Sequence, residues 1–99
     1  MFNLIAKFLR QFRTIKKIDQ FSSMERLGRD EYKYIEGDHV LKVQIEMLSG
    51  TTKRVIYSRT IKNWMPPYEQ EILTEEKKKE ILRKMCKYFE MNQISYAVE

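Results

Sequence analysis

Apolar and polar residues alternate along His39–Leu48. A period of two residues is typical of an antiparallel strand that buries one face and exposes the other. The apolar positions, which we expect to face a core, are Leu41, Val43, Ile45 and Met47. The polar positions, which we expect to form an uncovered face able to contact a partner, are Lys42, Gln44 and Glu46.

Two further runs have the composition of strands. Glu31–Ile35 alternates aromatic and polar residues, and turn-forming residues follow at 36–38. Lys53–Ile61 comes after a second turn at 49–52 and is rich in β-branched and aromatic residues. Together with His39–Leu48, these runs predict a three-stranded antiparallel meander.

A long helix is predicted over Glu75–Met91. Thr74 supplies an N-cap hydroxyl, and the acidic residues of the first turn suit the positive end of the helix dipole. The apolar stripe that would pack on the sheet consists of Ile81, Leu82, Met85 and Phe89. Asn92 is expected to end the helix in the left-handed conformation, and alternation over 94–98 predicts a short closing strand beside the meander. The expected fold class is α+β.

The N-terminal segment has a helical pattern of its own. Over Phe2–Lys17, apolar residues recur at three- and four-residue spacing among basic residues, which predicts an amphipathic basic helix. We therefore divide the chain into a helical arm, residues 1–18, and a small α+β domain, residues 31–99. The arm has three open interpretations: a helix packed on the sheet, a helix lying in a membrane interface, or an extension that is poorly ordered or depends on a partner. Neither a signal peptide nor a membrane span is expected, since basic residues interrupt the apolar stretch.

The charge of the chain is concentrated in that arm. The 99 residues carry a formal net charge of +5, with 19 basic and 14 acidic residues. Residues 1–18 hold five of the basic residues and no acid, so the other 14 basic residues are balanced by the 14 acids. Nucleic-acid binding needs a basic surface and would therefore depend on the arm.

The candidate chemistry for catalysis or metal binding is sparse. A single cysteine, Cys86, and a single histidine, His39, can form neither an internal disulfide nor a zinc site with histidine–cysteine spacing. The three glycines are isolated, so no phosphate-binding loop is present, and the acids around residues 30–38 do not have calcium-loop spacing. We expect a cytoplasmic protein with no catalytic residues, no metal and no cofactor.

The connection between the third strand and the helix is unusual. Residues 62–71 contain the only tryptophan, a tyrosine and both prolines of the chain. Consecutive prolines stiffen the backbone and end strand pairing. In one interpretation Trp64 covers the open end of the core with Tyr68 beside it. In the other, Trp64 and Tyr68 are anchors for a partner, with Glu69 and Glu71 as an acidic rim.

Residues 55–69 and 72–81 resemble a bacterial immunity-protein family of polymorphic toxin systems, the immunity protein 74 family. The Trp-x-Pro-Pro-x-Glu connection at residues 64–69 and the helix that begins with acids carry the resemblance, which covers about residues 31–99. It implies a small cytoplasmic antidote that binds a cognate toxin protein and neutralises it without catalysis, cofactor or small-molecule substrate.

The arm leaves two other functions open, because the resemblance does not include it. A membrane-surface adaptor would dock on anionic lipid through residues 1–17. A small nucleic-acid-binding regulator would use the same basic residues. The oligomeric state is not indicated by the sequence.

Overall fold

The computed structural model of the protein describes residues 15–49 and 53–99. Within them it has six strands, one 3₁₀ turn and one α-helix, which is an α+β architecture, as predicted. The elements in chain order are β1 (Ile15–Lys17), β2 (Ser22–Arg26), β3 (Glu31–Glu36), β4 (His39–Met47), β5 (Arg54–Ile56), the 3₁₀ turn (Ser58–Thr60), α1 (Glu75–Met91) and β6 (Tyr96–Val98).

The strands form one sheet in chain order, β1-β2-β3-β4-β5-β6. Neighbours are antiparallel except β5 and β6, which are parallel. β4 pairs with β3 from His39 to Gln44 and with β5 from Ile45 to Met47, so one long strand joins two sections of a curled sheet. Gly37, at φ +61°, forms the β3–β4 turn in the left-handed region that glycine adopts readily.

The prediction of a three-stranded meander is therefore wrong, because the sheet has six strands. The polar stretch around Ser22 is strand β2, and Ile15–Lys17, the end of the predicted amphipathic helix, is strand β1. Ser22 is only 2% exposed, and this polar residue can occupy the core side of β2 because its hydroxyl has partners in Lys84 and Tyr34. Ile18, the last residue of the predicted arm, is buried in the core, and residues 1–14 lie outside the described residues.

The third predicted strand, Lys53–Ile61, is also shorter than expected. It pairs only over β5 and then tightens into the 3₁₀ turn. The Thr60 hydroxyl donates to the Tyr57 carbonyl at 2.6 Å and accepts the backbone N–H of Gln44 at 2.9 Å. A side chain thus satisfies the edge of β4 that a longer strand would have paired.

Helix α1 has the predicted bounds, and the Thr74 hydroxyl caps it by accepting the N–H of Lys77 at 3.1 Å. The predicted left-handed Asn92 is wrong: its φ is −97°, and the next residue, Gln93, has φ 57°. Asn92 instead donates its side-chain amide to the Tyr88 carbonyl at 2.7 Å. The reversal brings β6 beside β5, as the closing strand was expected to lie.

The core lies between α1 and the inner face of the sheet. Tyr32 meets Phe89 edge to face, with ring centroids 5.7 Å apart. The fully buried side chains include Tyr34, Leu41, Val43, Ile45, Ile56, Ile81, Met85 and Phe89.

Among the described residues, no helix is long and apolar enough to cross a membrane.

Candidate functional site

The loop between the 3₁₀ turn and α1 folds back over one end of the core. Its Met65 N–H donates to the Val40 carbonyl at 2.7 Å, which ties the loop to β4. Trp64 is 6% exposed, lies near-parallel to Tyr34 with centroids 6.5 Å apart, and meets His39 edge-on at 5.0 Å. Trp64 thus fills the core position that the first interpretation gives it, and it presents little surface to a partner. The Pro66–Pro67 bond within the loop is cis.

Above Trp64, the loop and the β3–β4 turn meet through side chains. The rings of His39 and Tyr68 are stacked, and the Tyr68 hydroxyl donates to a carboxylate oxygen of Asp38. His39 lies between two carboxylates: Nδ1 is 2.9 Å from Asp38 Oδ1, and Nε2 is 3.0 Å from Glu71 Oε2. The turn supplies Asp38 and His39, and the loop supplies Tyr68 and Glu71.

These contacts change the acidity of the groups. The hydrogen bond with Glu71, aided by Asp38, raises the pKa of His39 despite the opposing effect of desolvation. Hydrogen bonds from Tyr68 and His39 lower the pKa of Asp38, and the carboxylate of Asp38 in turn raises the pKa of Tyr68. The shifts of His39 and Asp38 each favour the charged form of the group, whereas the shift of Tyr68 favours its neutral hydroxyl.

The contacts among Asp38, His39, Tyr68 and Glu71 are suited to fixing the loop against the β3–β4 turn. The two imidazole nitrogens face different carboxylates and do not converge on one point. Over the described ranges, no group of three histidine, cysteine or acidic side chains could hold a metal ion. His39 is engaged on both nitrogens, Nδ1 by Asp38 and Nε2 by Glu71.

Two more loop residues extend this surface. Glu69 is exposed, and Ile72 is 89% exposed, although its neighbour Leu73 is only 6% exposed. Leu73 anchors the backbone in the core and thereby holds Ile72 outward. We call the resulting surface the acidic-aromatic patch, which consists of Asp38, His39, Tyr68, Glu69, Glu71 and Ile72.

Three of these residues are candidate partner contacts predicted from the sequence, and the other three are added by the structure. Tyr68, Glu69 and Glu71 are among the predicted contacts, whereas Asp38, His39 and Ile72 are not. The sequence contains a weak indication that Ile72 is exposed. Ile72 and Leu73 are adjacent aliphatic residues, and only one of the two can face the core at that point.

The other candidate residues lie on the opposite face of β4. Lys42 and Gln44 are exposed, and Glu46 is half-buried, where it accepts the Tyr57 hydroxyl at 2.6 Å. Lys42 lies directly across from Lys33 on β3, which is a repulsive cross-strand pair. The candidate contacts therefore fall into two groups on different faces of the sheet and do not form one continuous site.

The alternative functions of the arm depend mostly on residues that the structure does not describe. Contact of residues 1–17 with a membrane and nucleic-acid binding through their basic side chains therefore stay predictions. In the described part of that range, Lys16 and Lys17 are exposed on β1.

A comparison with known protein families matches residues 26–99 to Imm74, immunity protein 74. The match begins at the last residue of β2 and runs through the acidic-aromatic patch, α1 and β6. No curated protein and no solved structure matches the chain. The family named by the sequence resemblance is confirmed over about three quarters of the chain, and the protein belongs to the immunity protein 74 family.

Proposed function

We propose that this protein is a bacterial immunity protein that binds a cognate toxin in the cytoplasm and neutralises it as a stoichiometric, non-catalytic inhibitor. Membership of the immunity protein 74 family supports a toxin as the partner. An inhibitor of this kind acts by covering the toxin with a preformed surface, and a stable complex of standard size buries roughly 800 Å² on each partner.

The acidic-aromatic patch is the surface that we assign to this contact. The single observation that carries the assignment is the 89% exposure of Ile72 on a backbone anchored by Leu73. An exposed aliphatic side chain in the same loop as a tyrosine and two carboxylates has the composition of an interface centre with a polar rim. Because Tyr68 is already stacked and hydrogen-bonded, little conformational freedom is lost when a partner binds.

The charge of the patch indicates the chemistry of the partner. Asp38, Glu69 and Glu71 outweigh the single histidine, so the patch complements a basic surface. A basic cleft is what a nuclease toxin uses to hold a phosphate backbone. Covering such a cleft with carboxylates would exclude the substrate without any reaction.

The polar face of β4 is the second candidate surface. Lys42, Gln44 and Glu46 carry mixed charges, and Glu46 is tied to Tyr57. Mixed polar faces contribute to specificity and association rate more than to affinity. We therefore place this face at the periphery of the contact or outside it.

The test uses the toxin domain encoded by the neighbouring reading frame. Cells expressing that domain should survive only when this protein is co-expressed, and the purified pair should elute as one stoichiometric complex. Charge reversal at Glu69 and Glu71 should abolish protection, whereas Lys42→Glu should reduce it little. The proposal is overturned if the folded protein neither protects cells nor binds that domain.

A further inference from the structure

The basic residues on the two flanks of α1 differ in whether they form ion pairs within the fold. On the flank that faces β2 and β3, Lys77 Nζ lies 2.6 Å from Glu36, and Lys84 Nζ lies 3.4 Å from Asp19 and 2.9 Å from the Ser22 hydroxyl. These lysines are partly covered, and they fasten the helix to the sheet. Their charges are used within the fold.

The basic residues on the outward flank of α1 do not fasten the helix to the sheet. Lys79, Arg83 and Lys87 follow one another at four-residue spacing and are all exposed. With a rise of about 1.5 Å per residue, neighbouring charges in this row are about 6 Å apart along the helix. Within residues 15–49 and 53–99, none of the three has an ion-pair partner.

A groove runs beside this row. One cavity of about 320 Å³ lies between α1 and the 3₁₀ turn, where Arg59 and Lys78 add positive charge. A second cavity of about 660 Å³ continues toward β6 and shares Lys79 and Leu82 with the first. The apolar or weakly polar side chains along the groove are Ile61, Leu82, Cys86 and Tyr96.

The acidic residues beside the groove do not neutralise the positive charge of this basic row. Glu75 is 3.4 Å from Lys78, and Glu90 accepts the Tyr96 hydroxyl. Glu76 and Glu80 line a separate cavity together with Arg83, and Glu80 is 2.8 Å from Lys77. The groove therefore keeps an excess of positive charge over a partly apolar floor.

We propose that this basic groove binds an acidic segment of a partner polypeptide in which acidic and apolar residues alternate. In an extended chain, every second side chain points the same way at a spacing of about 6.6 Å, close to that of the cationic row. The acids would then lie on Lys79, Arg83 and Lys87, and the alternate apolar side chains on Leu82 and Cys86. The inference depends on the groove alone and not on the identity of a toxin.

A polypeptide fits better than a nucleic acid. A phosphate backbone would gain from the row of charges but not from the apolar floor. Single-stranded nucleic acids also need exposed aromatic faces for base stacking, whereas the ring of Tyr96 is partly buried and its hydroxyl is engaged by Glu90.

The test is fluorescence anisotropy with a short labelled peptide of alternating glutamate and leucine. Arg83→Glu with Lys87→Glu should weaken binding at least about tenfold, which corresponds to about 1.4 kcal/mol. Arg29→Glu with Lys42→Glu makes the same change in net charge elsewhere and should weaken binding by less than about twofold. A triple variant, Lys79→Gln with Arg83→Gln and Lys87→Gln, repeats the test without charge reversal, and circular dichroism checks that each variant is folded.

Two further probes separate the alternatives. A peptide of alternating glutamate and serine should bind more weakly than the leucine peptide, because it cannot use the floor. Bound leucine peptide should also slow alkylation of Cys86, the only cysteine of the chain. Equal loss of binding in both charge variants, unchanged alkylation, or tighter binding of single-stranded DNA through the same residues would overturn the proposal.

Discussion

The rings of His39 and Tyr68 stack with their centroids 3.7 Å apart and their planes 17° from parallel. One ring begins β4, and the other lies in the loop before α1, so the stack joins two segments far apart in the chain. Asp38 closes the same junction by accepting from Tyr68 and contacting His39. The acidic-aromatic patch is therefore held in shape by contacts within the fold, so little conformational freedom remains to be lost if a partner binds there.

The first prediction concerns the protonation of His39. Its pKa should lie above the ordinary value of 6.5, with the hydrogen bond to Glu71 as the main cause. Because this is the only histidine in the chain, a proton NMR titration reports it without assignment. Glu71→Gln should lower the pKa more than Asp38→Asn does.

The same shift predicts how stability varies with pH. A raised pKa in the folded state means that protonation of His39 stabilises the fold below about pH 6.5, and this contribution is lost as the pH rises through the folded pKa. The difference in the free energy of unfolding between the wild type and His39→Gln should therefore be larger at pH 5.5 than at pH 8.5 in urea titrations. A difference that grows with pH would contradict the geometry.

The second prediction concerns Trp64. Trp64→Ala should destabilise the fold by about 3–5 kcal/mol, because a large side chain that is 6% exposed leaves a cavity against Tyr34 and His39. Unfolding should be followed by far-ultraviolet circular dichroism, since the variant lacks the only tryptophan. Trp64→Phe keeps an aromatic ring and should therefore reduce the free energy of unfolding by less than Trp64→Ala does. An alanine variant with an unchanged melting temperature and lost toxin binding would instead place Trp64 in the interface.

The third prediction concerns Glu36, which joins β3 to α1. Burial raises the pKa of this carboxyl, but hydrogen bonds from Lys77 and Tyr34 outweigh it, and the net shift is downward. Glu36→Gln should reduce the free energy of unfolding by about 1–2 kcal/mol at neutral pH. The contribution is present above the ordinary pKa of 4.5 and is lost as the pH falls through the lowered value, so the two proteins should converge in acid.

A matched control exists on the outer face of the sheet. The side chain of Glu25 is 22% exposed, as is that of Glu36, but it pairs with Lys33 on the neighbouring strand at 3.5 Å. Glu25→Gln should change the free energy of unfolding by less than about 0.5 kcal/mol. Equal losses in the two variants would show that burial of a carboxylate, and not the link to α1, determines the effect.

The sequence predicts those elements whose signals are local. The alternation in β4 and the Thr74 cap of α1 each lie within a few residues, and both elements have nearly their predicted bounds. Strand β2 escaped prediction because its buried Ser22 looks like a loop residue until its partner Lys84, 62 positions away, is known. Local patterns cannot show such a compensation.

The same limit applies to the candidate site. The concentration of aromatic residues and acids at 64–71 is sufficient to make Tyr68 and Glu71 candidates for partner contact. That Glu71 binds His39, 32 positions earlier, depends on how the loop folds back over the β3–β4 turn. The burial of Trp64 and the exposure of Ile72 follow from the same fold, so a sequence pattern can propose this surface but cannot orient its side chains.

The final prediction uses two adjacent residues with opposite environments. Ile72→Ser should leave the free energy of unfolding within about 0.5 kcal/mol of the wild type, because a side chain that is 89% exposed packs against little. Leu73→Ser should cost about 3 kcal/mol, since it places a hydroxyl and a cavity in the core. If Ile72 is an interface anchor, its variant should bind the toxin about 30-fold more weakly in calorimetry, equivalent to about 2 kcal/mol. Leu73→Ser, measured per folded molecule, should bind normally. Unchanged affinity of the Ile72 variant would remove the acidic-aromatic patch from the contact and leave the polar face of β4 as the candidate surface.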